Sequence, residues 1–221
     1  MDSWGSLGAA RIFEGPHATV RLAELGLTEE DFILTVQAGE MERRSCSPLE
    51  PSIAPGFKAW AAAFRTLAEQ LRQRGWVKEE TRGLPRLLHP ENAVAIAVIN
   101  GDEATGCSTG PDPKSKTPRG VQSVLFVQSN DIQLHLPFEG PESEQPPVEH
   151  EQITWWLLIH SSEEDDGLRA ELSLPIGLGE DGRFCTWEER IIIHIPDLTF
   201  SPNRDDEEPP FEVEVNVRPR R

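Results

Sequence analysis

The sequence predicts an α+β protein, with N-terminal helices followed by a mostly antiparallel β-sheet. Two observations carry this. Up to residue 76 apolar side chains recur at helical spacing, with Trp60, Phe64, Leu67 and Leu71 at i, i+4, i+7 and i+11. From Leu84 onward they fall in short runs rich in β-branched residues, separated by Gly, Pro, Asp and Ser. At 221 residues the chain has the length of one domain. The expectation is therefore a single α+β domain over 1–221, helical over about 19–76 and sheet over about 84–217.

Taken in order, Leu22, Leu25 and Leu27 precede Thr28, which with Asp31 makes an N-cap followed three residues later by an acid. Phe32, Ile33 and Val36 continue the apolar stripe. Cys46 to Pro55 holds three prolines and reads as an extended connector. A second helix is expected from about Phe57 to Arg74, with Pro55 and Gly56 before it and Gly75 after it. Leu84–His89 and Ala93–Ile99 flank Pro90-Glu91-Asn92 as a hairpin, and AVAIAVI is apolar enough for a central strand. Residues 100–120 form a long polar loop, a first candidate surface. Val121–Gln128 fits neither period and stays open between strand and short helix. Ile132–Phe138 alternates as a strand, and 139–151 is an acidic loop with five acids, no base and three prolines. Ile153–His160, Leu168–Ile176 and Arg190–Ile195 read as an antiparallel meander. Asn203–Pro210 is a charged loop, and Phe211–Val217 alternates as a half-buried strand.

The net charge is −17, divided unevenly: −4 over residues 1–110 and −13 over 111–221. Such a field repels nucleic acid and anionic membrane at long range, so generic DNA binding and membrane association are disfavoured. The same acidity suits solubility or, as a sharper reading, mimicry of nucleic acid toward a partner with a basic surface. Cys46, Cys107 and Cys185 lie far apart without C-x-x-C spacing, so neither a disulfide framework nor a cysteine zinc site is written here, and a reducing compartment is expected. The N-terminal stretch lacks a charged and apolar leader pattern, and no run approaches the length of a membrane span. A cytoplasmic protein is the expectation.

The stretches FKAWAAAFRTLAEQLRQRGW, NAVAIAVINGDEATG and LRAELSLPIGLGEDGRFCTWEERIII together resemble a family of uncharacterised bacterial proteins. Its members share a helix, a strand followed by an NGDEATG-like loop, and a late ELSLP segment. The resemblance implies one recurring unit over most of the chain and a bacterial setting; it brings no activity, ligand or site residue with it.

Several partial motifs crowd the 100–120 loop. Gly101 to Gly106 has P-loop spacing, but Cys107 and Ser108 stand where Lys and Ser/Thr are needed, and Asp102 and Glu103 would repel phosphate. Ser108 lies in a G-x-S-x-G pattern, yet PDPKSKTP follows it instead of the helix a nucleophile elbow requires. Asp102 and Glu103 with Lys114 and Lys116 suggest a metal-dependent nuclease or hydrolase, with carboxylates on the cation and a lysine at the developing charge; the usual E-x-K on a neighbouring strand is missing. His135, His160 and His194 each fall near the carboxyl end of an expected strand and would make an open zinc site only if those ends met. Leu22 to Val36 has a helix-turn-helix outline, but Glu29, Glu30 and Asp31 would meet the DNA. Trp155 and Trp156 are successive, so in a strand one faces the core and the other needs a helix, a loop or a partner to cover it.

No catalytic constellation outweighs its structural alternative, and no cofactor is implied. The sequence points to a non-enzymatic interaction or adaptor module of a bacterial cytoplasmic system. It would contact another protein through Trp155 or Trp156, and a homo-oligomer is compatible with it. The alternatives are a metal-dependent hydrolase or nuclease built on the 100–117 loop, and an acidic nucleic-acid mimic.

Overall fold

The computed structural model describes residues 9–135, 152–162 and 167–196. Its elements are β1 (Arg11–Phe13), α1 (Pro16–Glu24), α2 (Glu29–Arg44), α3 (Ala54–Arg72), β2 (Val77–Thr81), β3 (Leu84–Leu88), β4 (Val94–Asn100), α4 (Val121–His135), β5 (Ile153–Ser161), β6 (Leu168–Leu178) and β7 (Phe184–Ile193). The strands form one sheet in the order β1-β7-β6-β5-β4-β3-β2. The α+β class holds. The sheet, however, is mixed: β4 runs parallel to β5 and β1 parallel to β7, while the other neighbours are antiparallel. Nor are the helices all N-terminal, because α4 crosses over between β4 and β5. A parallel pair requires such a crossover, since a tight turn can only reverse the chain.

The helical layer forms for local reasons. Thr28 caps α2 as expected: its hydroxyl accepts the Asp31 amide while the Asp31 carboxylate accepts the Thr28 amide. Gly39 lets α2 approach α3, since a Cβ there would lie 2.9 Å from the Ala59 carbonyl oxygen. Leu22, Phe32, Val36, Leu67 and Leu71 bury their apolar faces against Ile96, Val98, Trp155, Leu157, Leu172 and Ile191, which alternate out of one face of the sheet.

The opposite face carries a second core of Ala97, Ile99, Trp156, Leu158, Phe184 and Trp187, closed by Val127 of α4. The segment 121–128, open between strand and helix, is the first half of α4, and residues 132–135 of the expected strand 132–138 are its last turn. The sequence misleads here for a simple reason. The buried positions of α4 are Ser123, Val127 and Asn130, at i, i+4 and i+7, so two of the three are polar and leave no apolar stripe. Asn130 clamps the helix to the sheet: its amide nitrogen donates to the carbonyls of Thr154 and Pro175, and its oxygen accepts the Thr154 amide.

The hairpin β3–β4 and the meander β5–β6–β7 have the expected antiparallel pairing. The sequence pattern does not reveal β1 or β2, and the sheet begins at Arg11 rather than Leu84. The acidic loop 139–151, the loop 203–210 and the segment 211–217 lie outside the described residues. No described helix is long and apolar enough to cross a membrane.

A two-residue loop joins β2 to β3, with Arg82 at φ 50° and Gly83 at φ 79°, the signs of a type I′ turn. An arginine is strained there, whereas asparagine tolerates the left-handed region. Arg82→Asn is expected to raise stability by about 0.5–1 kcal/mol, read as a higher denaturant midpoint at unchanged slope. A lower midpoint would contradict this account of the turn.

Candidate functional site

The 101–120 segment is not a free loop. Gly101 leaves β4 where a Cβ would collide with the Thr105 hydroxyl, so only glycine permits the turn as it stands. Asp102 shapes that turn, its side chain accepting the Ala104 amide and its carbonyl the Thr105 amide. The segment then lies on the second face of the sheet. Trp187 donates its indole N–H to the Pro113 carbonyl, and Ser115 accepts the Phe184 amide. The Arg119 guanidinium sits 5.7 Å from the Trp156 ring centroid and 5.8 Å from that of Phe184, and burial lowers its pKa.

Beneath this cover Arg190 makes a bidentate pair with Glu171, Nε to Oε1 at 3.1 Å and Nη2 to Oε2 at 2.7 Å. Neither side chain is more than 2% exposed. Arg190 also reaches Asp112 and the Cys107 carbonyl, while Glu171 accepts the Ser173 hydroxyl and the Gly106 amide. Burial works against the arginine's charge, but the hydrogen bonds and charge of Glu171, with Asp112 beyond, outweigh it and leave its pKa raised. The Glu171 carboxylate accepts four bonds and Arg190 spends four of its five N–H donors within the protein, so the pair fastens the segment to β6 and β7.

Most of the expected site residues are dispersed, although Lys116 and His160 line one cleft and Asp102 is near enough to act on the His160 charge. Asp102 is used in the turn, Glu103 is exposed, and Lys114 lies 3.5 Å from Asp181. Ser108 is half-buried in irregular backbone, with α4 beginning only at Val121. His135 is at the end of a helix, not a strand. His160 is half-buried at the end of β5, where burial and then Arg169 lower its pKa and favour the neutral imidazole. His194 is exposed beyond β7. Among the described residues no three His, Cys, Asp or Glu side chains converge as metal ligands. Glu142, Glu144, Glu149, Glu163–Asp166 and Asp205–Glu208, the acids that a nucleic-acid mimic would have to gather on one face, lie outside the described residues.

The expectation for Trp155 and Trp156 is corrected as well. They are 2% and 0% exposed, one under the α1–α3 layer and the other under α4 and the 101–120 cover. A sheet covered on both faces leaves no outward ring for a partner.

Of the concave places among the described residues, two lie beside groups that could serve a function. At the carboxyl ends of the parallel strands β4 and β5 is a cleft of about 70 Å³, lined among others by Glu40, Trp60, Asn100, Lys116 and His160. Its buried carboxylate, Glu40, is already occupied: Arg43, Arg44 and the Ser161 hydroxyl all donate to it. Burial would raise its pKa, but those bonds hold it down at about 2.

The second place is a groove of about 550 Å³ between α3 and β2, with Phe64, Ala68, Trp76 and Leu87 inside and Arg65, Glu69, Arg72 and Lys78 around it. It borders the outer edge of β2, with which nothing pairs among the described residues. The turn at Arg82-Gly83 fixes which groups that edge offers. A type I′ turn bonds the Thr81 carbonyl to the Leu84 amide, so Thr81, Glu79 and Val77 direct their backbone toward β3. Lys78 and Glu80 then direct theirs outward. Pro85 fits this alternation, since it stands opposite Glu80, where no amide is required. The one sequence signal for this edge is the Arg82-Gly83 turn, because VKEET is too polar to read as a strand.

Compared with protein-family models, with curated proteins and with solved structures, the chain matches none of them.

Proposed function

We propose that this protein is a non-enzymatic interaction module that takes up an extended polypeptide segment on the open edge of β2, beside the groove under α3. The observation that carries the reading is the coincidence of an apolar groove with an edge that is unpaired among the described residues. Strand addition draws affinity from main-chain hydrogen bonds and specificity from side chains set into such a groove. The polar sequence of β2 fits an edge held in reserve, because Lys78 and the neighbouring acids discourage indiscriminate pairing in the free protein. A hydrolase or nuclease reading draws less from the site, because Asp102 serves the turn and Lys114 lies 3.5 Å from Asp181, which leaves Lys116 beside His160 in the cleft.

The test is selection from a displayed library of random peptides, with binding of the selected peptides measured against the wild type and Lys78→Pro. Proline at 78 removes an outward amide without breaking the β2–β3 ladder. Selected peptides are expected to bind the variant at least tenfold more weakly, a difference of about 1.4 kcal/mol. Failure to enrich any peptide, or equal binding to the variant, counts against the reading.

A further inference from the structure

We infer that the segment that pairs with β2 is β2 of a second copy of this chain, forming a two-fold dimer whose sheet continues across the axis. The inference rests on the reading of β2 as an interaction edge and adds the identity of its partner.

The argument is in the register. Only Lys78 and Glu80 turn backbone groups outward, so antiparallel pairing must set them against one another. With the axis at Glu79, Lys78 stands opposite Glu80 of the second copy and Glu80 opposite its Lys78, each pair exchanging both N–H···O bonds. Their side chains share the helix-side face, where the Lys78 ammonium lies 6.0 Å from the Phe64 ring centroid and 2.9 Å from the Glu80 carboxylate of its own strand. Opposite charges therefore meet across both hydrogen-bonded positions.

The neighbouring registers are excluded by the same residues. A shift of the axis to residue 78 or 80 sets Lys78 against Lys78 or Glu80 against Glu80, and a slip by one residue brings outward backbone groups against inward ones. On the other face the two Glu79 side chains would meet at the axis, but each is already held by its own Arg86 at 2.8 Å. The match that admits this one pairing repels the others, as a homotypic interface requires. Strand pairing alone buries less than a standard interface, so the dimer should be reversible and concentration-dependent.

Sedimentation velocity of the full chain over a wide concentration range tests this. The wild type is expected to pass from 24.7 kDa toward twice that mass. Lys78→Glu and Glu80→Lys should each raise the concentration of half-association at least tenfold. An equimolar mixture of the two variants should regain the wild-type value, since one copy then presents lysine at both outward positions and the other glutamate at both. Both substitutions are at exposed positions, and circular dichroism checks that the variants are folded. A wild type that stays monomeric throughout overturns the inference, as does a dimer indifferent to either reversal or a mixture that fails to recover. If the wild type is monomeric while selected peptides still bind in a Lys78-dependent way, self-pairing fails and the interaction reading stands. If neither occurs, both fail.

Discussion

Arg190→Met is expected to destabilise the protein by about 3–5 kcal/mol, the cost of leaving a buried carboxylate without its cation. The effect is this large because Glu171 is fully buried and its only ionic partner among the described residues is removed. Arg190 also anchors the covering segment through Asp112 and the Cys107 carbonyl, so that loss falls on the 101–117 backbone as well as on the sheet. Equilibrium denaturation measures the loss, and amide exchange at Gly106, whose N–H donates to Glu171, locates it. Pairing Arg190→Met with Glu171→Leu should recover most of the stability, because a buried ion pair replaced as a whole by apolar groups is close to neutral. A single variant within about 1 kcal/mol of wild type would show that the pair is not the anchor described.

The second large effect is on pH. Glu40 has its carboxyl pKa held at about 2, against 4.5 for the unperturbed group. A depressed carboxylate stabilises the fold above its unfolded pKa and loses that contribution as pH falls through the folded one, so the window here runs from about 4.5 down to about 2. Its size is on the order of 2–3 kcal/mol, with allowance for the solvent around Arg44. Glu40→Gln keeps the shape and removes the titration. The variant should be less stable at neutral pH and should lose less further stability on acidification. Parallel acid limbs for wild type and variant would contradict the assignment of this window to Glu40.

What the sequence makes legible is what its periodicity expresses. α3 announces itself by an unbroken apolar stripe, and AVAIAVI by being too apolar for anything except a central strand. Thr28 and Asp31 mark the start of α2 because a capping box is a local signature that tertiary contacts seldom override. The failures share a different cause. α4 is held by Asn130, whose bonds to Thr154 and Pro175 depend on strands distant in sequence. β2 stays hidden because edge strands are polar by necessity. Glu171 does leave a trace, as a lone acid inside the apolar run LRAELSLPIGL, but its partner, 19 positions on, carries no periodic link to it. The histidines fail as a group because the expected strand at His135 is helix, which removes the geometry on which their convergence depends.

The pairing of β1 with β7 has a further consequence, for the order in which the molecule can assemble. Arg11 and Glu189 are register partners, so the first strand of the described sheet docks on its last in chain order. The first three helices emerge long before the strands that cover Leu22, Phe32 and Leu67, and they must wait with those faces uncovered. A topology with such long-range closure raises contact order and slows folding. During synthesis, those apolar faces therefore stay without their sheet until β7 has left the exit tunnel.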